Sequence, residues 1–79
     1  MNITKHALER MIERGFSPEM AFRLIKGRVS IVSTRDDGFL ITGIVDGNLW
    51  TLVMESDMYT LVTVRRAHSI EEVLWKSSK

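Results

Sequence analysis

Cysteine is absent from this 79-residue sequence, which excludes disulfide bonds, thiolate metal sites and cysteine nucleophiles. A chain of this length forms one domain and buries roughly 60% of its unfolded surface, so it depends on core packing or on a partner. No apolar run approaches the ~20 residues of a membrane-spanning helix, and residues 1–6 lack the apolar stretch of a signal peptide. We therefore expect a single domain over residues 1–79 that resides in the cytoplasm and does not bind membranes.

Neither positive nor negative charge predominates in the chain, since the formal net charge is only +1. Its distribution is uneven, because residues 1–35 carry seven Lys and Arg against three Glu, and residues 36–79 carry four against seven Asp and Glu. These counts give +4 for the first segment (7 − 3) and −3 for the second (4 − 7). The basic N-terminal segment can attract phosphate, whereas the small total argues against an extensive nucleic-acid interface.

Two short helices are predicted at the N-terminal end of the chain. The first covers about residues 4–14, with Thr4 as its N-cap and Gly15 directly after its last turn. The second covers about residues 17–26, where Ser17-Pro18-Glu19 supplies a cap, a first-turn proline and a first-turn acid. Each segment has one apolar face. The pattern therefore predicts a helical hairpin.

Beyond residue 27 the apolar residues follow the alternating period of strands. Turn signals occur at Asp36–Gly38 and Asp46–Asn48, and four strands joined by short loops form an antiparallel meander. The predicted strands cover about residues 28–34, 39–45, 49–55 and 59–66. A capping box at Ser69–Glu72 predicts a last short helix over about residues 70–76. The fold class is therefore α+β, with the helical hairpin packed on a four-stranded antiparallel sheet.

The second face of this sheet is also partly apolar. We expect either the last helix or a partner protein to cover it. An uncovered sheet edge or face would permit a homodimer without requiring one.

The first helix carries a polar stripe with residues suited to RNA cleavage. His6, Arg10 and Arg14 are spaced i, i+4, i+8 and lie along one edge of the helix. A histidine can transfer a proton near neutral pH, and arginines can hold a phosphate through forked hydrogen bonds. The alternative interpretation is an ordinary solvated helix face, on which Glu9 and Glu13 form ion pairs.

The last predicted strand adds a second group of candidates. Thr63 and Arg65 point to one face and could complete an anion site, and His68 follows as a further proton donor or acceptor. The alternative is that Thr63 is a good strand former, Arg65 marks the solvated end of the strand and His68 belongs to a loop. The sequence has no metal-binding cluster, P-loop or dinucleotide glycine motif, so we expect no metal and no cofactor.

The motif His6-Ala7-x-x-Arg10-Met11-x-x-Arg14-Gly15, followed by Ser17-Pro18-Glu19, resembles the start of a family of small bacterial proteins. That family has the pattern H-A-x-x-R-M-x-x-R-G-[IF]-S and is allied to BrnT and to RelE/ParE-like toxins. The strand Tyr59–Arg65 is similar to the closing strand of the family. The resemblance covers nearly the whole chain.

The resemblance implies a RelE-like fold and a metal-independent ribonuclease, of the superfamily that groups barnase, EndoU, colicin RNases and RelE. His6, Arg10, Thr63 and Arg65 would form the catalytic site, Arg14 would contact the substrate, and an antitoxin or immunity protein would be the partner. His68, which the residue pattern and not the resemblance singles out, is the second candidate for contact with the substrate. Two other functions stay open. The chain could be a non-catalytic protein-binding module, or it could bind nucleic acid weakly without cleaving it.

Overall fold

The computed structural model describes residues 1–78 and confirms the α+β class. The strands are β1 (Asn2–Ile3), β2 (Val29–Ser33), β3 (Phe39–Val45), β4 (Asn48–Met54) and β5 (Thr60–Arg66). The helices are α1 (Lys5–Arg14), α2 (Pro18–Lys26) and α3 (Ser69–Ser77). Strands β2 to β5 are antiparallel neighbours in chain order, as in the predicted meander.

Both N-terminal helices begin and end where the capping residues predict. The side chain of Thr4 accepts a hydrogen bond from the Ala7 amide, and Gly15 ends α1 in the left-handed conformation, with φ of 64°. The side chain of Ser17 accepts a hydrogen bond from the Met20 amide at the start of α2. These local signals fix the lengths of both helices and the tight turn between them.

The prediction of a sheet with four strands, all antiparallel, is wrong in one respect. The sheet has five strands in the order β1-β5-β4-β3-β2, and β1 pairs with β5 in parallel. The amide of Asn2 donates to the carbonyl of Tyr59 at 2.8 Å, and the amide of Thr4 donates to the carbonyl of Leu61 at 3.2 Å. A strand of two residues has no alternating pattern, and its partner lies far along the chain, so no local signal announces it.

The hydrophobic core lies between the helical hairpin and one face of the sheet. Trp50, Leu52 and Met54 alternate along β4 and all point into this core. Phe16, in the turn between α1 and α2, is also buried, and its ring centroid is 4.9 Å from that of Trp50. We call this side of the sheet the helical-hairpin face.

The opposite face carries α3, whose N-cap lies one residue before the predicted capping box. The N-cap is His68, and its amide donates to the carboxylate of Glu71 at 2.9 Å, so the predicted box at Ser69 and Glu72 is wrong. The reason is that Glu71 is buried against the sheet. Three large apolar side chains of α3 are exposed instead; they are Ile70, Val73 and Leu74. Trp75 is half-buried, and its indole N–H donates to the carbonyl of Arg28 at 3.0 Å.

Gly43 provides a test of how closely α2 packs on β3. A Cβ atom at this position would lie 2.9 Å from Cγ of Leu24 and 3.3 Å from Cγ1 of Val29. We expect Gly43→Ala to lower the free energy of unfolding by about 1–3 kcal/mol, because Leu24 must move in a filled core.

The matched control is Gly27→Ala, since a Cβ there would meet nothing closer than 3.6 Å. We expect this variant to be unchanged or up to about 1 kcal/mol more stable. Denaturant unfolding of the three proteins measures both effects. Equal stability of the Gly43→Ala variant and the wild type would contradict the close approach.

Candidate functional site

The first two predicted site residues lie on the outer flank of α1. This helix packs on the sheet through Ala7 and Met11, which are both buried. Helical spacing then places His6 and Arg10, one turn apart, beside the buried stripe, where both line a shallow depression of the surface. His6 is exposed, and none of the side-chain hydrogen bonds found within residues 1–78 involves it. Its imidazole is therefore open to contact from solvent or from a ligand.

The guanidinium of Arg10 is engaged by a neighbour on its own helix. Its Nη1 atom donates to both carboxylate oxygens of Glu13, at 3.0 and 2.7 Å. The two side chains are 40% and 55% exposed, and such an exposed pair contributes only about 0.2–1 kcal/mol. A phosphate group can therefore replace Glu13 on Arg10 with little loss of stability.

Arg14, the third residue of the predicted stripe, has a structural contact. Its Nη1 atom donates to the backbone carbonyl of Val64 on β5, at 2.7 Å. That carbonyl points away from β4, beyond the end of the short strand β1. Arg14 therefore satisfies a backbone group at the edge of the sheet, and this contact competes with the predicted contact to a substrate.

The structure separates the other two predicted catalytic residues from His6 and Arg10. The alternation along β5 directs Thr63 and Arg65 to the face opposite the buried Val64. The helical hairpin packs on the Val64 side, whereas α3 packs on the Arg65 side. The predicted catalytic group of four residues is therefore divided between the two faces of the sheet.

Arg65 is held by an ion pair rather than left free at the end of a strand. Its Nη1 and Nη2 atoms donate to the two carboxylate oxygens of Glu71, at 2.7 and 2.6 Å. Only 23% of the Arg65 side chain and 6% of the Glu71 side chain are exposed. The two parallel hydrogen bonds hold both side chains in one geometry. Removing either partner would destabilise the fold, because it would leave an unpaired buried charge.

Two threonines extend this ion pair into a polar network beneath α3. The hydroxyl of Thr51 donates to Glu71 at 2.8 Å and is itself 2.9 Å from the hydroxyl of Thr42. Since Thr51 donates its only hydroxyl proton to the carboxylate, Thr42 is the donor in the second bond. Both threonines are buried, and the network satisfies their hydroxyls.

The network also fixes the charge state of Glu71. Burial raises the pKa of this carboxyl group, but the hydrogen bonds from Arg65, from the His68 amide and from Thr51, together with the Arg65 charge, lower it by more. The pKa is therefore about 2, compared with an ordinary value of 4.5. Glu71 stays ionised in the folded protein throughout the neutral range.

His68 and Thr63 do not come together with His6 and Arg10 in one site. His68 is exposed and caps α3 through its backbone, whereas Thr63 is half-buried on β5 opposite Val53. His68 belongs to the α3 face and His6 to a helix of the other face, so the structure does not bring the two imidazoles together.

Within residues 1–78, no group of three or more His, Asp or Glu side chains is arranged to hold a metal ion. Across the same residues, no helix has both the length and the apolar character needed to cross a membrane.

Sequence reasoning missed Glu71 as the centre of the polar network, although a signal for it was present. Thr42, Thr51 and Arg65 occupy paired positions on three adjacent strands, so their side chains share one face. A row of polar side chains across the middle of a sheet indicates a buried polar partner. Glu71, in the first turn of the following helix, is the acid that can reach this row.

The low pKa of Glu71 predicts a loss of stability in acid. Its pKa is lower in the folded state than in the unfolded state, so protonation favours unfolding as the pH falls from about 4.5 towards 2. The full stabilisation, present above that range, is about 3 kcal/mol.

Denaturant unfolding at several pH values between about 2 and 6 measures this effect in the wild type and in Glu71→Gln. We expect the variant to be less stable at neutral pH, because Arg65 then lacks its anion, and to depend less on pH. Parallel pH profiles for the two proteins would contradict the assigned pKa.

In comparisons with known proteins, no family, no curated sequence and no solved structure matches this chain. The function is therefore inferred from the geometry of residues 1–78 and from the sequence motif of α1.

Proposed function

We propose that this protein is a metal-independent ribonuclease of the toxin type, with a RelE-like fold and with its reactive groups on α1. The observation that carries the proposal is the free, exposed imidazole of His6 one helical turn from the guanidinium of Arg10. The pairing of a proton-transfer group with a phosphate-binding cation is what RNA transesterification requires. The order of β1, the helical hairpin and the meander supports the RelE-like fold.

In this proposal His6 transfers the proton and Arg10 stabilises the charge. The imidazole takes the proton of a 2′-hydroxyl group, whose oxygen then attacks the adjacent phosphorus atom. Arg10 moves from Glu13 to the non-bridging phosphate oxygens, on which negative charge increases in the pentacovalent transition state. The P–O5′ bond breaks, the 5′-oxygen takes a proton from water, and the imidazolium of His6 returns its proton to solvent, so the products carry a 2′,3′-cyclic phosphate and a 5′-hydroxyl.

The structure changes the roles that we give to the remaining predicted residues. Arg65 lies on the other face of the sheet and is paired with Glu71, so we assign it to the stability of α3. Thr63 is on that same face of β5. Arg14 supports the outer edge of β5 beside α1. Catalysis through Arg65 would first require the buried ion pair to open.

A cleavage assay in EDTA tests the proposal, with the wild type and three variants incubated with total RNA, tRNA and ribosomes carrying mRNA. We expect His6→Ala to lower the cleavage rate about 10²–10⁴-fold and Arg10→Ala about 10²–10³-fold. The matched control is Arg23→Ala, because Arg23 is a surface arginine that pairs with Asp46 as Arg10 pairs with Glu13. We expect the Arg23→Ala rate to equal that of the wild type.

Thermal unfolding of all four proteins must first give the same midpoint, so that a lost activity is not a lost fold. Mapping of the product ends should find 2′,3′-cyclic phosphate. Cleavage that requires a divalent metal, or equal rates for the wild type and His6→Ala, would refute the proposed mechanism.

The second candidate function is a non-catalytic protein-binding module. It is favoured by the exposed apolar side of α3, where Ile70, Val73 and Leu74 are 64%, 56% and 39% exposed. These side chains belong to the helix on the Arg65 face of the sheet, where Arg65 is already paired with Glu71. A partner such as an antitoxin or immunity protein could cover them.

Co-purification with the product of a neighbouring reading frame tests this second function. We expect Val73→Glu to reduce the yield of the complex at least about tenfold, because it places a charge in an apolar interface. The matched variant His6→Ala should leave the complex intact. A complex that survives Val73→Glu would show that α3 is not the binding surface.

A further inference from the structure

The two edges of the sheet differ in how their backbone groups are satisfied. On the β5 side, β1 pairs with part of the edge, the Thr4 hydroxyl donates to the Leu61 carbonyl at 3.1 Å, and Arg14 donates to the Val64 carbonyl. On the β2 side, no hydrogen bond found within residues 1–78 reaches residues 29–33 except those of the ladder with β3. Within residues 1–78, the outward backbone groups of Val29–Ser33 therefore have no hydrogen-bond partner.

The direction of these groups follows from the register of the β2–β3 ladder. The Thr34 amide donates to the Gly38 carbonyl, so it points towards β3. Backbone groups alternate along an antiparallel strand, and therefore those of Val29, Ile31 and Ser33 point to the open edge. The segment Val29–Ser33 contains no charged residue, no proline and no glycine, and it pairs with β3 without a bulge. It thus lacks the devices that normally keep an edge strand from pairing.

A wide apolar groove on the helical-hairpin face borders this open edge. Its volume is about 420 Å³, and α2, β2 and the loop before β5 all contribute to its wall. The side chains of Phe22, Ile31 and Tyr59 in that wall are 50%, 51% and 57% exposed. The same strand therefore offers free backbone hydrogen-bonding groups and an exposed apolar side chain, Ile31, directly beside them.

The charges at the two ends of β2 determine which strand direction suits a partner. Lys26 and Arg28 precede the strand and give its first end a formal charge of +2, whereas Arg35, Asp36 and Asp37 follow it and give the other end −1. Neither Lys26 nor either aspartate takes part in an ion pair found within residues 1–78. Antiparallel pairing of β2 with a second β2 brings the basic end of each strand towards the acidic end of the other. The strand is therefore electrostatically complementary to itself in this orientation.

We propose that a second copy of this chain pairs with β2 to form a homodimer with a continuous sheet. The two strands run antiparallel around a twofold axis at Ile31, so that Ile31 faces its counterpart and Val29 faces Ser33 of the other copy. The twofold axis keeps both helical hairpins on one side of the sheet, and Phe22 and Ile25 of each copy close over the two Ile31 side chains. This inference does not depend on the ribonuclease proposal.

Sedimentation equilibrium from micromolar to millimolar protein concentration, with the wild type and two variants, tests the homodimer. We expect a monomer–dimer equilibrium for the wild type and a Kd at least about tenfold higher for Ile31→Lys, because the interface would then bury two like charges. The matched control is Ile12→Lys on α1, which makes the same change at an apolar residue that is 73% exposed. Its Kd should equal that of the wild type.

A cysteine substitution then tests the register, since the chain has no cysteine of its own. Oxidation of Ile31→Cys should give a covalent dimer in high yield, whereas Ile12→Cys should stay monomeric under the same conditions. Ser33→Pro removes an outward-pointing amide that β3 does not use, so it should weaken the dimer while leaving a cooperative unfolding transition.

Three outcomes would overturn the proposal. They are a wild type that remains monomeric at millimolar concentration, a dimer that is equally sensitive to Ile31→Lys and Ile12→Lys, and an Ile31→Cys variant that does not cross-link. A monomer whose β2 edge instead accepts a strand from a different protein would overturn the assignment of a second copy.

Discussion

The bidentate ion pair between Arg65 and Glu71 determines how the second face of this sheet is organised. The chain is too short to provide a full apolar layer for both faces, and its core side chains are concentrated on the helical-hairpin face. On the other face a buried carboxylate receives hydrogen bonds from Arg65, from Thr51 and from the amide of His68. These bonds direct the polar stripe of α3 towards the sheet, and Ile70, Val73 and Leu74 of that helix consequently remain in solvent. The same pair removes Arg65 from the chemistry that its position on the strand suggests.

Much of the fold follows from local signals in the sequence. Thr4, Ser17 and Gly15 mark helix ends by mechanisms that need no tertiary structure, and alternation gives β2 to β5 to within about two residues. What the sequence does not announce is β1, because two residues show no period and their partner lies at the other end of the chain. The N-cap of α3 differs from the predicted Ser69 for a related reason. Ser69–Glu72 satisfies the local capping pattern, but burial of Glu71 against Thr51 selects His68 instead.

The candidate site shows the same division between local and tertiary information. The spacing of His6 and Arg10 on one helix is a local property, and the structure keeps the two residues side by side. The prediction that Thr63 and Arg65 lie on the same face of one strand is also local, and the structure agrees with it. The relation between these pairs depends on which face of the sheet receives each helix. Buried Val64 faces the helical hairpin, so its neighbour Arg65 has to face away from α1. A motif can therefore have the right residues and spacing in each half while the fold keeps the halves apart.

The contrast between the sheet edges links the catalytic and the oligomeric proposals. Helix α1 and its N-cap support the β5 edge. Arg14 donates to a carbonyl there, and Thr4 both caps α1 and donates to the carbonyl of Leu61. These contacts satisfy carbonyl groups of the edge beside α1, so under the ribonuclease proposal an RNA would meet side chains at those positions. At β2, no side chain of the described residues donates to or accepts from the outward backbone groups. An exposed edge strand without charge, bulge or proline favours intermolecular pairing. Pairing at β2 would leave the α1 flank of each copy open at opposite ends of the extended sheet. Dimer formation and RNA cleavage would then use separate surfaces, and a variant such as Ile31→Lys could lose the first without losing the second.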